Sequence, residues 1–434
     1  MTSNRGEGPS FLSAMPALLL LALAIAAGRI SSEVFAVVQE SAKAELDLSD
    51  FQLSLVQGVA AAIPLATMSI PLGLMIDRHH RMRLLLALGV AWTVGLAMAG
   101  WANGMSMLFV AKMLSSLGAN CSIAVCISIA ADLCGPTRRG AAMLILTLGK
   151  WAGTASAFAL GGWLVGKLAA DGVPAWLGDI APWRGVHLML AIGSAVLIMP
   201  LLLFLREPPR RETVAGVGAP LRVVMRELWD RRAFLVPLFV GQISVAMVDT
   251  AAGIWAAPIL SRSYGLQPNQ FASWMGAVIF GAGVLGAVLG GLAADAGHKL
   301  QRRGGILLGA IVTSGLAIPA ALFPIAPDTT IFAIGLFFFL LCGTIAGLIV
   351  SATLATLLPN ELRGLCLGLF IAIAGVISFG IAPTLITLVS ALLGGEAQLA
   401  MALAIVGVVV STLAFAAFPF AMRRAPRSAT ERPV

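Results

Sequence analysis

Charge is scarce in this chain. Only 11% of its 434 residues are charged, it has one tyrosine and four histidines, and 59% of it is hydrophobic. An ordinary soluble domain carries about 25% charged residues, so a water-facing surface of normal extent is excluded. Polar stretches are short as well. The single long one is REPPRRETVAGVGAPLRVVMRELWDRR, residues 206–232. The five cysteines, Cys121, Cys126, Cys134, Cys342 and Cys366, have neither metal-ligand spacing nor a disulfide pattern and read as packing residues. No Walker motif and no HExxH are present, so neither a nucleotide-driven pump nor a zinc enzyme is expected, and no cofactor is called for. The net charge of +8 suggests nucleic acid at first sight. Its basic residues, however, sit in short breaks between apolar runs and make no interleaved basic and aromatic surface, so nucleic acid is excluded as a partner.

What the chain does have is apolar runs, with a mean hydropathy of +0.96. A helix needs about 20 apolar residues to cross a bilayer, whereas barrel strands would alternate. Breaking the chain at its polar punctuation gives twelve spans. Those of the first half are 14–38, 50–76, 84–102, 106–132, 141–168 and 185–205; those of the second are 233–261, 270–295, 304–323, 329–355, 364–391 and 397–420. The fold class is therefore an all-α membrane protein of 12 transmembrane helices in two pseudo-symmetric six-helix bundles. The predicted organisation is a tail 1–13, a bundle 14–205, a linker 206–232, a bundle 233–420 and a tail 421–434. The first apolar run has no convincing cleavage site and is read as retained. In the linker, Leu221, Val224, Met225 and Leu228 recur at helical spacing beside Arg222 and Arg226, as in an interfacial helix.

The loops after the even-numbered spans collect Arg78, Arg81, Arg83, Arg138, Arg139, Lys299, Arg302, Arg303 and Arg363, and the tail adds Arg423 and Arg424. The opposite loops hold little beyond Lys43, Arg184 and Arg262. The positive-inside rule then puts both termini and the linker in the cytoplasm, with Trp101, Trp176 and Trp183 in an outer aromatic belt. An internal repeat is also visible. G-x-x-x-D occurs at Gly73 to Asp77 and at Gly291 to Asp295, and Arg139-Gly140 is echoed by Arg363-Gly364, both at an offset of about half the chain. Two parallel six-helix halves imply a transporter with its site between repeats.

These motifs resemble those of the major facilitator superfamily over nearly the whole chain. GLMIDRHHRMR, residues 73–83, is similar to the family's signature loop between helices 2 and 3, and GLAAD at 291–295 is its weaker echo. The resemblance assigns a gating role to Gly73, Asp77, Arg78, Arg81, Gly291, Asp295, Arg139 and Arg363, with the small Gly73 allowing close helix approach. Lys112 stands where the fourth-helix motif usually has arginine. Gly149, Gly153, Gly161 and Gly162 resemble the exporters' glycine-rich fifth-helix motif, but Thr154 follows Gly153 and the usual proline is missing. Other stretches, such as LDLSDFQLSLVQG, look most like spinster-type and organic-anion carriers. The acid and base those carriers use are replaced by Ser31-Ser32 and Ala119-Asn120, so a lysolipid substrate is not carried over.

A charge in mid-span costs about 2.5–3.5 kcal/mol on insertion scales, so such residues face a cavity or a partner. Arg29 and Glu33, four residues apart on one helical face, are either a mutual ion pair or an anion contact with Glu33 as a secondary proton site. Lys112 is either a structural donor to carbonyls or a binding or coupling residue. Lys150 is too deep to snorkel easily and is a substrate-binding candidate. Asp249 is the deepest acid and the first candidate for proton coupling, its other reading being a salt bridge to Lys150 or Arg29. Asn120, Gln242 and Trp255 are packing residues or substrate contacts. His187 is read as an interfacial histidine, and His79 and His80 as solvated. The expectation is a monomeric secondary transporter in a bacterial inner membrane that takes up a small organic anion or amphiphile with protons. The alternatives are a drug or amphiphile exporter and a lysolipid carrier.

Overall fold

The computed structural model describes residues 11–134, 138–205, 207, 208, 226, 229–300, 302–357, 370 and 372–426. All the regular structure among these residues is helical. In chain order the helices are α1 (Phe11–Glu33), α2 (Phe35–Leu46), α3 (Asp50–Ser54), α4 (Ala60–Arg78), α5 (Arg81–Gly100), α6 (Met105–Leu133), α7 (Arg139–Asp171) and α8 (Pro182–Phe204). Then come α9 (Arg232–Ser263), α10 (Pro268–Lys299), α11 (Leu308–Ala320), α12 (Thr329–Leu357), α13 (Ala382–Leu392) and α14 (Leu399–Arg424). Among the described residues, eleven helical stretches are long and apolar enough to cross a membrane, and α8 is a further apolar helix of 23 residues. The linker motif, apart from Arg226, and the echo around Arg363 lie outside the described residues.

Local chemistry sets the helix ends. Ser49 caps α3 reciprocally: its Oγ accepts from Gln52 N at 3.2 Å while Gln52 Oε1 accepts from Ser49 N at 2.8 Å. Gln267 and Gln270 make the equivalent box on α10, with Pro268 in its first turn. Asp328 accepts from the amides of Thr330 and Ile331 at the start of α12. The first span departs from expectation. It runs on to Leu46 as an apolar stretch of 35 residues and is broken by a turn at Val34, between α1 and α2. The second span contains a π-helical turn, Leu55–Val59, between α3 and α4.

The chain forms two compact units, each with its own apolar core. Unit 1 is Met1–Val38 with Thr67–Ala215; unit 2 is Gln39–Ala66 with Gly216–Val434. The core of unit 1 includes Leu18, Leu21, Ile25, Leu85, Val125 and Ile129, and Cys121, Cys126 and Cys134 are packed within it. In unit 2, Phe234, Leu238, Leu307, Ile349, Leu354 and Phe418 play that part. The repeat predicts a division at the linker, whereas residues 39–66 are built into unit 2. The reason is a set of specific contacts with α9 and with the 372–396 region, described below.

Two glycines fix the geometry of unit 1. Gly149 and Gly153 of α7 have G-x-x-x-G spacing and let the backbone of α1 approach closely. A Cβ added at Gly149 would lie 2.5 Å from Ala22 O, and one at Gly153 would lie 2.5 Å from Ala26 Cα. The glycine-rich motif is thus a helix-packing surface.

Candidate functional site

The close α1/α7 crossing determines what meets in unit 1. With Gly153 against Ala26, the next residue of α7, Thr154, comes to the following turn of α1, and Arg29 Nε donates to Thr154 Oγ1 at 3.3 Å. Arg29 Nη2 donates to Glu33 Oε1 at 2.5 Å, and the two side chains are only 13% and 19% exposed. Lys112 of α6 is buried and its Nζ donates to the Ser32 carbonyl at 2.5 Å. The break at Val34 explains this bond. Ser32 lies in the last turn of α1, where carbonyls lose their helical partners, and the lysine occupies one of them. Glu33 and Arg29 are also within electrostatic reach of Lys112. Arg29, Glu33, Lys112 and Thr154 therefore form one cluster of two cations and one carboxylate.

Ser31 and Asn120 each donate to a backbone carbonyl. Ser31 Oγ donates to Trp92 O at 3.1 Å, and Asn120 Nδ2 donates to Ser116 O within α6 at 3.0 Å. Trp92 Nε1 in turn donates to Ser194 Oγ at 2.7 Å, tying α5 to α8. Lys150 lies next to Gly149 with its Nζ 4.7 Å from the centroid of the Trp151 ring. His187 is buried, with Nδ1 2.9 Å from Trp183 O and its ring 5.9 Å from that of Phe35. Trp183 does not belong to an exposed belt: it is 1% exposed and stacks with Arg184, whereas Trp101 and Trp176 are 59% and 67% exposed.

In unit 2, the Asp249 carboxylate lies against Gly343 of α12, at the place a Cβ would take. The surrounding pocket has Thr313, Ser314, Cys342 and Ser411 among its lining residues and is too small for an organic solute. Among the described residues, two α9 side chains carry a buried polar atom without a hydrogen-bond partner: Gln242 Oε1 and Trp255 Nε1. Trp255 is wholly buried, and Gln242 lies against Gly347. Unsatisfied buried groups are uncommon and call for an explanation.

One constellation in unit 2 was not anticipated from the sequence. Arg262, near the C-terminus of α9, grips two carboxylates. Its Nε and Nη2 donate to Glu40 at 2.8 Å each, and its Nη1 and Nη2 donate to Asp50 at 2.6 and 2.7 Å. Lys43 Nζ donates to Asp50 Oδ1 at 2.7 Å and also to Glu396, whose other oxygen accepts from Asp50 N at 2.8 Å. In the sequence these five residues are scattered over three loops, and Lys43 and Arg262 served there only as topology counts.

Residues 17–383 match the family model described as Major Facilitator Superfamily. The chain belongs to that superfamily. It is accordingly a multi-pass membrane transporter of small solutes. A curated relative from Cupriavidus pinatubonensis (strain JMP 134 / LMG 1197), a probable 4-methylmuconolactone transporter, is 25% identical over 350 residues, covering 78% of this chain and 76% of the relative. Among solved structures, a bacterial homolog of the human lysosomal transporter Spinster, inward-facing and unoccupied, superposes with a TM-score of 0.80 at 20% identity, covering 96% of this chain and 99% of that one. A mutant of the nucleoside transporter NupG gives 0.72 at 11% identity, covering 93% and 99%. At these identities the structural likeness establishes the fold alone.

The superfamily's signature loop is short here, since only His79 and His80 separate α4 from α5. Arg81 is buried, 2% exposed at the first position of α5. Its Nε donates to Glu207 at 3.1 Å, its Nη1 to Asp132 and to both oxygens of Ser128, and its Nη2 to Pro208 O at 3.1 Å. His80 is not simply solvated either, with Nδ1 2.5 Å from Glu207 Oε2. Burial alone would raise the Glu207 pKa, but its bonds from Arg81 and the Met82 amide outweigh that and hold it below the usual carboxylate value. Among the described residues, a Cβ at Gly73 would meet nothing within 4 Å. The Asp77 side chain lies outside those described, and Arg78 is exposed. In the echo, Gly291 has only Leu348 near it among the described residues and Asp295 is exposed, while Arg139 opens α7.

Proposed function

We propose that this transporter moves a small organic anion by alternating access, with proton-coupled uptake. The observation that carries the reading is the Arg29, Glu33, Lys112 and Thr154 cluster, in which two cations outnumber one carboxylate within the membrane-spanning part of unit 1. Such an excess suits a substrate carboxylate, which would share the planar fork of Arg29 with Glu33. The relative's printed substrate agrees in class, since a muconolactone is a small lactone-bearing organic acid.

Asp249 is the proposed proton-coupling residue. Its carboxylate lines a pocket that admits no organic group, and an acid within a membrane span commonly marks a proton relay. Glu33 is the secondary candidate, placed to release Arg29 when it protonates. By the positive-inside argument, both termini face the cytoplasm.

The test is uptake into proteoliposomes of 4-methylmuconolactone, simple carboxylates, lysolipids and cationic drugs. Selective uptake of the acids that is lost in Arg29→Ala supports the reading, with affinity falling by about thirtyfold or more for the loss of a buried charge contact. Anion uptake unchanged in Arg29→Ala removes that residue from the site, and preference for drugs or lysolipids replaces the substrate class. Asp249→Asn is expected to bind substrate yet lose accumulation driven by a pH gradient.

A further inference from the structure

Phe332, Leu336, Phe339 and Gly343 of α12 are spaced four, three and four residues apart, so they lie on one stripe of the helix, within unit 2. Gly343 is the residue against which the Asp249 carboxylate rests, and Phe339 lines the same pocket. At about 1.5 Å per residue, Phe339 stands about one turn from Gly343 toward the start of α12, and that start is about 21 Å from Gly343.

Aromatic rings fill this interval. Phe339 packs on Phe323 with ring centroids 5.7 Å apart, Phe323 on Phe332 at 5.1 Å, and Phe332 on Tyr264 at 5.6 Å. Phe323 comes from the short helical turn Phe323–Ile325 that joins α11 to α12, and Tyr264 directly follows α9. The column therefore begins at the end of unit 2 where those helices meet. Gly335 makes room for it, since a Cβ there would lie 2.7 Å from Phe323 Cβ. Phe323, Phe332, Leu336 and Phe339 are at most 4% exposed, and the Tyr264 hydroxyl is held at the rim by Ala326 O. A buried water needs about two to four polar partners; phenyl rings supply none, so the column is dry.

We propose that Phe323, Phe332 and Phe339 are a seal that closes this end of unit 2 to water, with Phe339 separating the Asp249 pocket from the solution there. Past Phe339 the surroundings turn polar: Thr313, Ser314, Cys342 and Ser411 line the pocket with the carboxylate. Cys342 is the other ionisable side chain among the pocket's lining residues. The basic turn after α10 lies at the opposite end of the helices, so the positive-inside argument makes the sealed end the outer one. An acid open to both faces at once would pass protons down their gradient without substrate, and coupling would be lost. That consequence rests on the reading of Asp249 as the coupling residue; the exclusion of water does not. Packing and sealing are separable, because an aliphatic replacement disturbs the packing but admits no water.

The test uses the full chain in proteoliposomes without substrate. Cys342 is buried in the Asp249 pocket and reports water there through its modification by a small methanethiosulfonate, located by peptide mass spectrometry. Phe323→Ser combined with Phe339→Ser puts two hydroxyls in place of two rings. Cys342 should then be modified about tenfold faster, while Cys121, Cys126 and Cys134 of unit 1 keep their wild-type rates. Phe323→Leu combined with Phe339→Leu should leave Cys342 protected. If the double serine variant does not fold, Phe339→Ser alone should give the same pattern with smaller amplitude. Modification of Cys342 at the wild-type rate in the folded serine variants, or equally fast in the leucine variant, overturns the seal. A trapped pH dye separates the seal from the coupling reading. Under an imposed pH gradient the serine variant should leak protons faster than wild type, and Asp249→Asn in that background should stop the leak. Exposed Cys342 without an Asp249-dependent leak upholds the seal and removes Asp249 from the proton path.

Discussion

Arg81→Ala puts the reading of the signature loop at risk. Arg81 is 2% exposed and neutralises Asp132 and Glu207, whose side chains are 12% and 16% exposed. Alanine leaves both carboxylates facing a hole and removes the donor to the Ser128 and Pro208 oxygens. Removing one partner of a buried ion pair costs about 3–5 kcal/mol; because both acids reach some water, a loss of about 2–3 kcal/mol is expected here. A thiol-reactive fluorophore provides the assay, since Cys121, Cys126 and Cys134 are buried in the same unit and label only on unfolding. The pH dependence has a definite sign. Glu207 has a lowered pKa in the folded protein, so its contribution is present above its ordinary value of 4.5 and is lost as pH falls through the folded value. The gap between wild type and Arg81→Ala should therefore narrow on acidification from pH 7 toward that range. Equal unfolding temperatures at pH 7, or a gap that widens in acid, would refute the assignment.

Other consequences can be checked separately. Gly153→Ala should destabilise unit 1 by about 1–3 kcal/mol, seen as a lower unfolding temperature, because its Cβ would lie 2.5 Å from Ala26 Cα. Unaltered stability would mean that α1 and α7 can separate freely. Tyr264 is the chain's one tyrosine and its hydroxyl donates to Ala326 O at 2.6 Å. Burial, helped by the negative charge of Asp328, raises its pKa above 10.0, so the tyrosinate absorbance band should appear only at higher pH; an ordinary titration would contradict the contact. Tyr264→Phe should cost about 1 kcal/mol.

Fold and site were legible in the sequence to different degrees. Apolar run length and loop charge were enough for twelve helices in two halves, because the bilayer imposes both. Arg29 and Glu33 were legible as a pair, since i,i+4 spacing puts them on one helical face. Lys112 was legible as a buried charge, but its acceptor was not: Ser32 lies in the last turn before the break at Val34, and a valine between Glu33 and Phe35 gives no breaker signal. The Arg262 network was illegible for another reason. Glu40, Asp50, Arg262 and Glu396 span more than 350 positions and meet only through tertiary packing, so each looked like an ordinary loop charge. Arg81 was legible as part of the signature motif, but its partners were not, because Asp132 and Glu207 come from the ends of other helices.

The central claim is that substrate and protons move together through this chain. The most direct measurement is the internal pH of proteoliposomes, reported by a trapped dye, when 4-methylmuconolactone is added outside without an imposed gradient. The account predicts acidification that requires both substrate and protein and is lost in Arg29→Ala and Asp249→Asn. Substrate entry with no proton movement would contradict it, as would acidification that persists in both variants.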